Sequence, residues 1–170
     1  MLDETTTIGS AESYINRELS WLSFARRVLA LAEDPKLPLL ERIKFAGIMG
    51  MLYDEFSMKR IGGLMRRLEK KSTKVSSDGK TLAEELEVSR QELRRQTDML
   101  FRLIEKELRP ALAEAGIPIL DFGQLDQAQR DHLAKYFSES IEPILTPLAV
   151  DVGHPFPFIS NLGLNLGVRI

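Results

Sequence analysis

Apolar residues recur at intervals of three and four over most of the stretch from residue 16 to residue 108. An α-helix turns once every 3.6 residues, so this spacing gathers the apolar side chains on one side of a helix. Prolines, glycines and a polar loop divide the stretch into three segments, each longer than an ordinary strand. We therefore predict a mainly α fold in which three long helices form an antiparallel bundle.

The first helix is predicted to begin near Ser13 or Asn16, whose side-chain oxygens can accept hydrogen bonds from free amides, and to end near Ala32. Its apolar residues form two stripes, and we expect other elements to cover both. Trp21 and Phe24 are accordingly expected in the core. The stripes are Ile15, Leu19, Leu22 and Leu29 on one side, and Trp21, Phe24, Val28 and Leu31 on the other.

The second helix is predicted over residues 38–71, because Pro38 suits a first helical turn. Gly62 and Gly63 within it indicate a bend or a close helix contact, since glycine weakens a helix interior. A polar loop follows. The third helix is predicted to begin at Thr81, because Thr81 and Glu84 have the spacing of a capping box.

A domain boundary is predicted where the helical pattern ends. Pro110 marks a kink, an end or a restart of the third helix, and Gly116-Ile117-Pro118 breaks the pattern altogether. The predicted division is a disordered terminus at residues 1–12, a helical domain at residues 13–117 and the truncated beginning of a second domain at residues 118–170.

The second domain is predicted to contain a short helix from Asp126 to Ile141 and then a different pattern. Near the end of the sequence, apolar residues alternate strictly with Gly, Asn and Arg, a period of two that is typical of a half-buried strand. We therefore predict an α+β segment with one or two strands. Because the helices offer no strand to pair with, we expect the chain to be a fragment of a longer protein. The alternating apolar positions are Leu162, Leu164, Leu166, Val168 and Ile170.

Several function classes are disfavoured by composition. Cysteine is absent, which excludes disulfides and thiolate chemistry and fits a reducing compartment. The first residues lack the basic start and apolar stretch of a signal peptide, and no run of 18 apolar residues occurs, so we expect a cytoplasmic protein without membrane insertion. The net charge of −2 argues against a surface built for nucleic acid, and no specific nucleic-acid partner is predicted.

Catalytic motifs are also missing: the sequence has no phosphate-binding P-loop, no HExxH and no GxSxG. The histidines are His132 and His154, which different elements separate. Asp54 and Glu55 are helix neighbours whose side chains diverge by about 100°, so the pair cannot chelate a metal without a third ligand. We expect no catalytic residue and no metal site in this sequence.

Residues 59–74 contain seven cations and one acid, Glu69. Such a concentration of charge attracts polyanions. Cations near the end of a helix also interact favourably with the helix dipole, so a solvated helix end explains the same pattern. The cations are Lys59, Arg60, Arg66, Arg67, Lys70, Lys71 and Lys74.

Two stretches carry a resemblance to a known family. The run YINRELSWLSFARRVLALAEDPKLPLLERIKFAGIM at residues 14–49, followed by DEF and R-x-x-GL, resembles the amino-terminal signature of the polyphosphate kinases, which form inorganic polyphosphate from ATP. The run ILTPLAVDVGHPFPFISNLGLNLGVRI at residues 144–170 resembles that family's entry into its second, or head, domain.

The resemblance implies a four-part enzyme, of which this chain holds the amino-terminal domain and the beginning of the head domain. It implies ATP and Mg²⁺ as cofactors, and a histidine outside this segment that passes the γ-phosphoryl group reversibly to polyphosphate. Neither His132 nor His154 matches that histidine. The segment alone is then expected to be inactive and to bind no cofactor, while contributing to the adenine side of the nucleotide site and to assembly. Its implied partners are the remaining domains, ATP, inorganic polyphosphate and further copies in a dimer or tetramer.

The resemblance also points to individual positions. Leu52 stands where the family motif SSNLDEFF has the asparagine that approaches the adenine ring, and Ala25 stands where asparagine usually follows SWLSF. The positions that match, and that are implied to line the phosphate tunnel or to support its wall, are Asp54, Glu55, Phe56 and Arg60.

The two lost amides leave other interpretations open. Leucine can pack against an adenine ring but cannot hydrogen-bond its edge. A second hypothesis is therefore a divergent helical module that binds a protein or a polyanion without using a nucleotide. A third is nucleic-acid binding through residues 59–74, which predicts affinity that falls steeply with salt.

Overall fold

The computed structural model describes residues 9–160 and 162–169, and the mainly helical fold is confirmed. The chain divides into two compact units, Met1–Gly116, here called the helical unit, and Ile117–Ile170, here called the second unit. Among the described residues, no helix is long and apolar enough to cross a membrane. The α-helices of this part of the chain are Arg17–Glu33 (α1), Leu39–Phe56 (α2), Gly62–Glu69 (α3), Leu82–Leu103 (α4), Arg109–Glu114 (α5) and Gln127–Tyr136 (α6).

Helix α1 begins where its sequence predicts. The Asn16 side-chain oxygen accepts hydrogen bonds from the amides of Glu18 and Leu19 at 3.0 and 3.1 Å. The prediction that both apolar stripes are covered is confirmed only in part: Trp21 and Val28 of the second stripe pack against the core, but its other two members do not. Phe24 and Leu31 remain exposed, whereas the buried apolar side chains of α1 are Leu22, Ala25, Leu29 and Ala32.

Helix α2 continues into α3 through a π-helical turn, Ser57–Ile61. A π turn closes its hydrogen bonds one residue later than an α-helix and so interrupts the regular ladder. The sequence predicts a bend or a close helix contact at Gly62 and Gly63. The irregularity of the helix instead lies in the turn just before these glycines. A Cβ atom at Gly63 would meet nothing within 4 Å, so no close helix contact requires that glycine.

Helix α4 begins with the predicted capping box. The Thr81 hydroxyl accepts from the Glu84 amide, and the Glu84 carboxylate accepts from the Thr81 amide at 2.8 Å. The helix continues through a π-helical turn, Ile104–Leu108, into α5, and Pro110 lies in the first turn of α5. Gly116 follows α5 with φ of +81°, a conformation that glycine adopts without strain.

Polar contacts between helices fix their directions. Arg42 near the start of α2 donates to the carbonyl of Ala32 near the end of α1 at 2.8 Å, so α1 and α2 are antiparallel. Asn16 at the start of α1 contacts Glu85 at the start of α4, so these two helices run the same way. Two apolar clusters fill the space between them. The buried members of the first are Ala25, Leu29, Ala32, Ala46, Met49, Tyr53, Leu100, Leu103 and Leu108, and those of the second are Leu22, Phe56, Ile61, Leu64, Leu82 and Leu86.

The second unit contains α6, which a capping box at Asp126 begins, and it has no buried residue in its described part. The predicted strand is not found: residues 162–169 have no regular secondary structure, and Ile170 lies outside the described residues. A strand needs a partner, and the β-pairing described in this unit is an isolated bridge between Asp151 and His154. Of the predicted disordered terminus, residues 1–8 also lie outside the description, and Ala11–Ser13 form a 3₁₀ turn.

Candidate functional site

A polar cleft of about 460 Å³ lies at the end of the helical unit where α1 and α4 begin. Four stretches of chain form it: the start of α1, the junction of the π turn with α3, the loop before α4, and α4 itself. Its volume is within the range typical of small-molecule sites. The lining residues are Tyr14, Ile15, Asn16, Arg17, Glu18, Lys59, Arg60, Gly63, Leu64, Arg67, Lys74, Val75, Ser76, Ser77, Asp78 and Glu85.

Glu18 and Arg60 form a two-pronged ion pair in this cleft. Arg60 Nε donates to one oxygen of Glu18 at 2.7 Å, and a terminal nitrogen of Arg60 donates to the other oxygen. The Glu18 side chain is only 8% exposed, so the pair is shielded from water on one side. The hydrogen bond from Arg60 to Glu18 raises the pKa of the guanidinium. Arg60 is therefore held by Glu18, 42 residues earlier in the sequence.

Asn16 joins the loop before α4 to the helices. Besides capping α1, its side-chain nitrogen donates to Asp78 at 3.2 Å and to Glu85 at 3.1 Å. Burial would raise the pKa of Asp78, but hydrogen bonds from Lys80, Ser76 and Asn16 outweigh it and lower the pKa to about 2. The Asp78 carboxylate is therefore charged at neutral pH and fully engaged.

Three cations of the cleft have no such partner. Arg17, Arg67 and Lys74 are exposed, and none of them makes an ion pair or a side-chain hydrogen bond with the described part of the chain. The other cations are paired, Lys59 with Glu55 outside the cleft and Arg60 with Glu18. Five cations and three acids line the cleft, so its charge is positive in a chain whose net charge is −2.

The structure separates the predicted site residues. Of the six positions singled out in the sequence, Arg60 lines the cleft and the other five do not. Leu52 is half-buried against the first apolar cluster, and Phe56 is buried with its ring stacked on Trp21 at 4.7 Å between centroids. Glu55 is exposed and pairs with Lys59 at 2.6 Å.

Asp54 is half-buried, and one of its carboxylate oxygens lacks a hydrogen-bond partner among the described residues. A buried acceptor without a donor is unfavourable, so this oxygen has capacity for a donor from elsewhere. Ala25, which stands at the second lost amide, is fully buried in the first apolar cluster. Ala25 therefore contributes to the packing of the core and does not line the cleft.

Metal ligands do not gather at the cleft. No group of three or more His, Cys, Asp or Glu side chains that could hold a metal ion occurs among residues 9–160 and 162–169. The carboxylates of the cleft are already engaged with Arg60, Lys80 and Asn16. These residues do not fit a bound Mg²⁺ ion.

Several residues of the cleft are not identified by sequence periodicity. Glu18 is buried on the apolar side of α1, and Asn16 meets Asp78 and Glu85 from more than 60 residues away. The one available signal is the local string Asn16-Arg17-Glu18 at a helix start, which places polar residues where the helix enters its core. It gives no information about their distant partners.

Comparison with known proteins assigns the family. Residues 14–120 match the polyphosphate kinase N-terminal domain, and residues 128–170 match the polyphosphate kinase middle domain. The chain belongs to the polyphosphate kinase family. Parts of two stretches that carry the family resemblance, 16–18 and 60–64, meet in the cleft.

Individual polyphosphate kinases agree with this assignment. The chain is 50% identical over 159 residues to that of Mycobacterium avium, and 48% identical over 160 residues to that of Mycobacterium tuberculosis, covering 94% of this chain in each case. A crystal structure of the polyphosphate kinase from Porphyromonas gingivalis matches with a TM-score of 0.70 and 29% identity over 86% of this chain and 20% of that one. The chain spans 22% of the length of the mycobacterial relatives.

Proposed function

We propose that this chain is the amino-terminal part of a polyphosphate kinase that reversibly transfers the γ-phosphoryl group of ATP to inorganic polyphosphate. The observation that supports this is the match to two consecutive domains of one family, in order, over residues 14–120 and 128–170. Phosphoryl transfer depends mainly on positioning and charge neutralisation, so separate domains can each supply one wall of the site.

The chemistry is assigned to residues outside this chain. His132 is exposed on α6, and His154 lies in an exposed turn with its Nδ1 atom 2.8 Å from Asp151. Neither histidine lines the cleft. ATP and Mg²⁺ as reactants therefore belong to the proposed complete enzyme, and we propose that this segment alone does not form their catalytic site and has no activity.

The contribution proposed for this segment is a wall on the adenine side of the nucleotide site. Leu52 occupies the position implied to approach adenine, and a half-buried leucine can offer an apolar contact to a ring but no hydrogen bond. Arg60, which Glu18 holds through two hydrogen bonds, suits bracing of that wall better than direct phosphate binding.

Assembly is the second proposed contribution. Many apolar side chains of the second unit are exposed, among them Phe156 and Phe158, and exposed apolar surface of this kind marks interaction sites. We propose that the remaining polyphosphate kinase domains and a second or further copy of the enzyme pack on this segment, in the cytoplasm.

The complete enzyme provides the direct test. It should convert ATP into polyphosphate, while the 170-residue chain alone should not. Leu52→Asn in the complete enzyme restores an amide at the adenine position and should lower KM for ATP more than for GTP. The matched control is Met51→Asn, which places the same amide on the exposed neighbouring residue. Absence of polyphosphate synthesis would refute the proposal, and equal effects of the two variants would remove Leu52 from the nucleotide site.

One observation favours a second candidate, a polyanion-binding module that does not use a nucleotide. The three unpaired cations of the cleft are available to an anion whether or not Leu52 contacts adenine. This candidate predicts that the complete protein binds polyphosphate with an affinity that ATP leaves unchanged. It is excluded if ATP turnover is observed and depends on residue 52.

A further inference from the structure

The three unpaired cations of the cleft come from different elements. Arg17 is the first residue of α1, Arg67 lies in the last turn of α3, and Lys74 lies in the loop before α4. Like charges that line one cleft repel each other, and the fold gains nothing from bringing them together without an acid. The presence of three unpaired cations in one cleft therefore needs a physical explanation.

The helix dipole explains Arg67 but not Arg17. A cation in the last turn of a helix is favourable, whereas a cation in the first turn is unfavourable. Arg17 stands in the first turn of α1, beside amides that Asn16 already caps. Its position is therefore costly for helix stability, and an anion in the cleft would offset that cost.

The acids of the cleft do not cancel these cations. Glu18 is paired with Arg60, and Asp78 with Lys80 at 2.6 Å, so both carboxylates are satisfied within the protein. Glu85 is 94% buried and accepts from Asn16, which directs its oxygen into the protein. The accessible charge of the cleft is consequently that of Arg17, Arg67 and Lys74.

We propose that this cleft is an anion site that binds a linear phosphate chain through Arg17, Arg67 and Lys74. Arginine and lysine both bind phosphate oxygens through charge-assisted hydrogen bonds, and three cations in one cleft can neutralise charge on more than one group of such a chain. The identification of the physiological ligand as inorganic polyphosphate rests on the proposed function. The existence of an anion site does not rest on it, because nucleoside triphosphates also carry a linear chain of phosphates.

Sodium tripolyphosphate, titrated calorimetrically into the 170-residue chain at fixed ionic strength, tests the site. Arg67→Ala combined with Lys74→Ala should weaken binding about tenfold or more, since each lost charge-assisted contact is worth at least a few-fold. The matched control is Arg66→Ala combined with Lys70→Ala. It removes one arginine and one lysine from the same exposed stretch, but neither lines the cleft, so binding should change by less than about threefold.

Arg17→Gln gives an independent readout that a structural role would not produce. It should weaken tripolyphosphate binding while leaving the melting temperature of the unliganded chain unchanged or slightly higher, because it removes a cation from a helix start. A loss of both binding and stability would instead identify Arg17 as a structural residue and contradict the proposal.

Titrations with other anions determine which ligand the site binds. If ATP binds more tightly than tripolyphosphate and Tyr14→Ala abolishes the difference, the triphosphate group comes from a nucleotide and the phosphate site stands. The proposal is overturned if no saturable binding occurs, if the two double variants weaken binding equally, or if a single-stranded oligonucleotide of equal charge binds more tightly at the same residues. None of these outcomes depends on turnover, so failure of the complete enzyme to make polyphosphate would refute the proposed function separately.

Discussion

The helical unit and the second unit differ in how far their large apolar side chains are buried. In the helical unit, leucines such as Leu22 and Leu29 are fully buried. In the described part of the second unit no residue is buried, and Leu133 on α6 is 42% exposed. Both units nevertheless contain helices that begin with the same kind of capping box.

The difference shows that caps and periodicity start a helix, whereas burial requires a second apolar surface. Helix α1 has two neighbours, α2 and α4, that bury Leu22 and Leu29, while Phe24 and Leu31 stay exposed for lack of a third. Helix α6 has no described neighbour that buries its apolar residues. Helical stability in proteins comes mainly from such packing, so the two units should respond unequally to matched substitutions.

The largest difference is expected for leucine truncation. Leu29→Ala removes a fully buried side chain and should lower the free energy of unfolding by about 2–5 kcal/mol, while the exposed Leu133→Ala should change it by less than about 0.5 kcal/mol. Urea unfolding followed by the fluorescence of Trp21, the single tryptophan, and by circular dichroism measures both. Equal losses would mean that Leu133 is buried in solution and would break the comparison.

A buried glutamine should give the next largest difference. Gln96 is fully buried, accepts from the Tyr53 hydroxyl at 3.1 Å and donates to the carbonyl of Leu22 at 3.0 Å. Gln96→Leu leaves the buried Tyr53 hydroxyl without its acceptor and removes the donor to the Leu22 carbonyl and to Glu92, and it should cost about 1–3 kcal/mol. Gln127→Leu, which removes an exposed contact to Asp131, is the control in the second unit and should have little effect on unfolding. A neutral Gln96 variant would show that water reaches the Tyr53 hydroxyl.

The two capping boxes provide a matched pair with a smaller effect. Thr81→Ala should destabilise the helical unit by about 1 kcal/mol, because α4 contributes to both apolar clusters. Asp126→Ala removes the equivalent cap of α6, and we expect local loss of helical circular dichroism without a shift of the Trp21-monitored transition. If Asp126→Ala shifts that transition as far as Thr81→Ala does, the units unfold together.

What the sequence could predict depends on how far apart the interacting residues are. The start of α4 follows from Thr81 and Glu84, three residues apart, and the start of α1 from Asn16 and its own next turn. The exposure of Phe24 could not be foreseen, because an apolar stripe shows that a helix can be covered on that side but not that a neighbour exists.

The same limit applies to the strand and to the site. The alternation at residues 162–169 is a local property, whereas a strand also needs hydrogen bonds to a partner that no periodicity specifies. The cluster of cations at residues 59–74 is visible in the sequence, but the pairing of Arg60 with Glu18 is not, so the sequence could not show which cations are engaged and which are available.

The smallest expected difference is the effect of losing the charge of Asp151 or of Asp78, two carboxylates whose pKa values are both lowered. In the exposed turn of the second unit, the hydrogen bond from His154 and then the amide of Gly153 lower the pKa of Asp151, while Asp78 in the helical unit has a pKa of about 2. A lowered carboxyl pKa stabilises the folded form above the unfolded value near 3.8, and this stabilisation is lost as pH falls through the folded value.

Acidification should therefore open the Asp151 turn locally, which the amide resonance of Gly153 and the ring resonances of His154 would report in NMR spectra. Asp151→Asn should reproduce the change at neutral pH without moving the Trp21-monitored transition, because the turn is exposed and buries no apolar residue. Asp78→Asn is the opposite case, since it removes a buried charge that Lys80, Ser76 and Asn16 hold, and should shift that transition. If Asp151→Asn shifted it as well, the exposed turn would be coupled to the helical core.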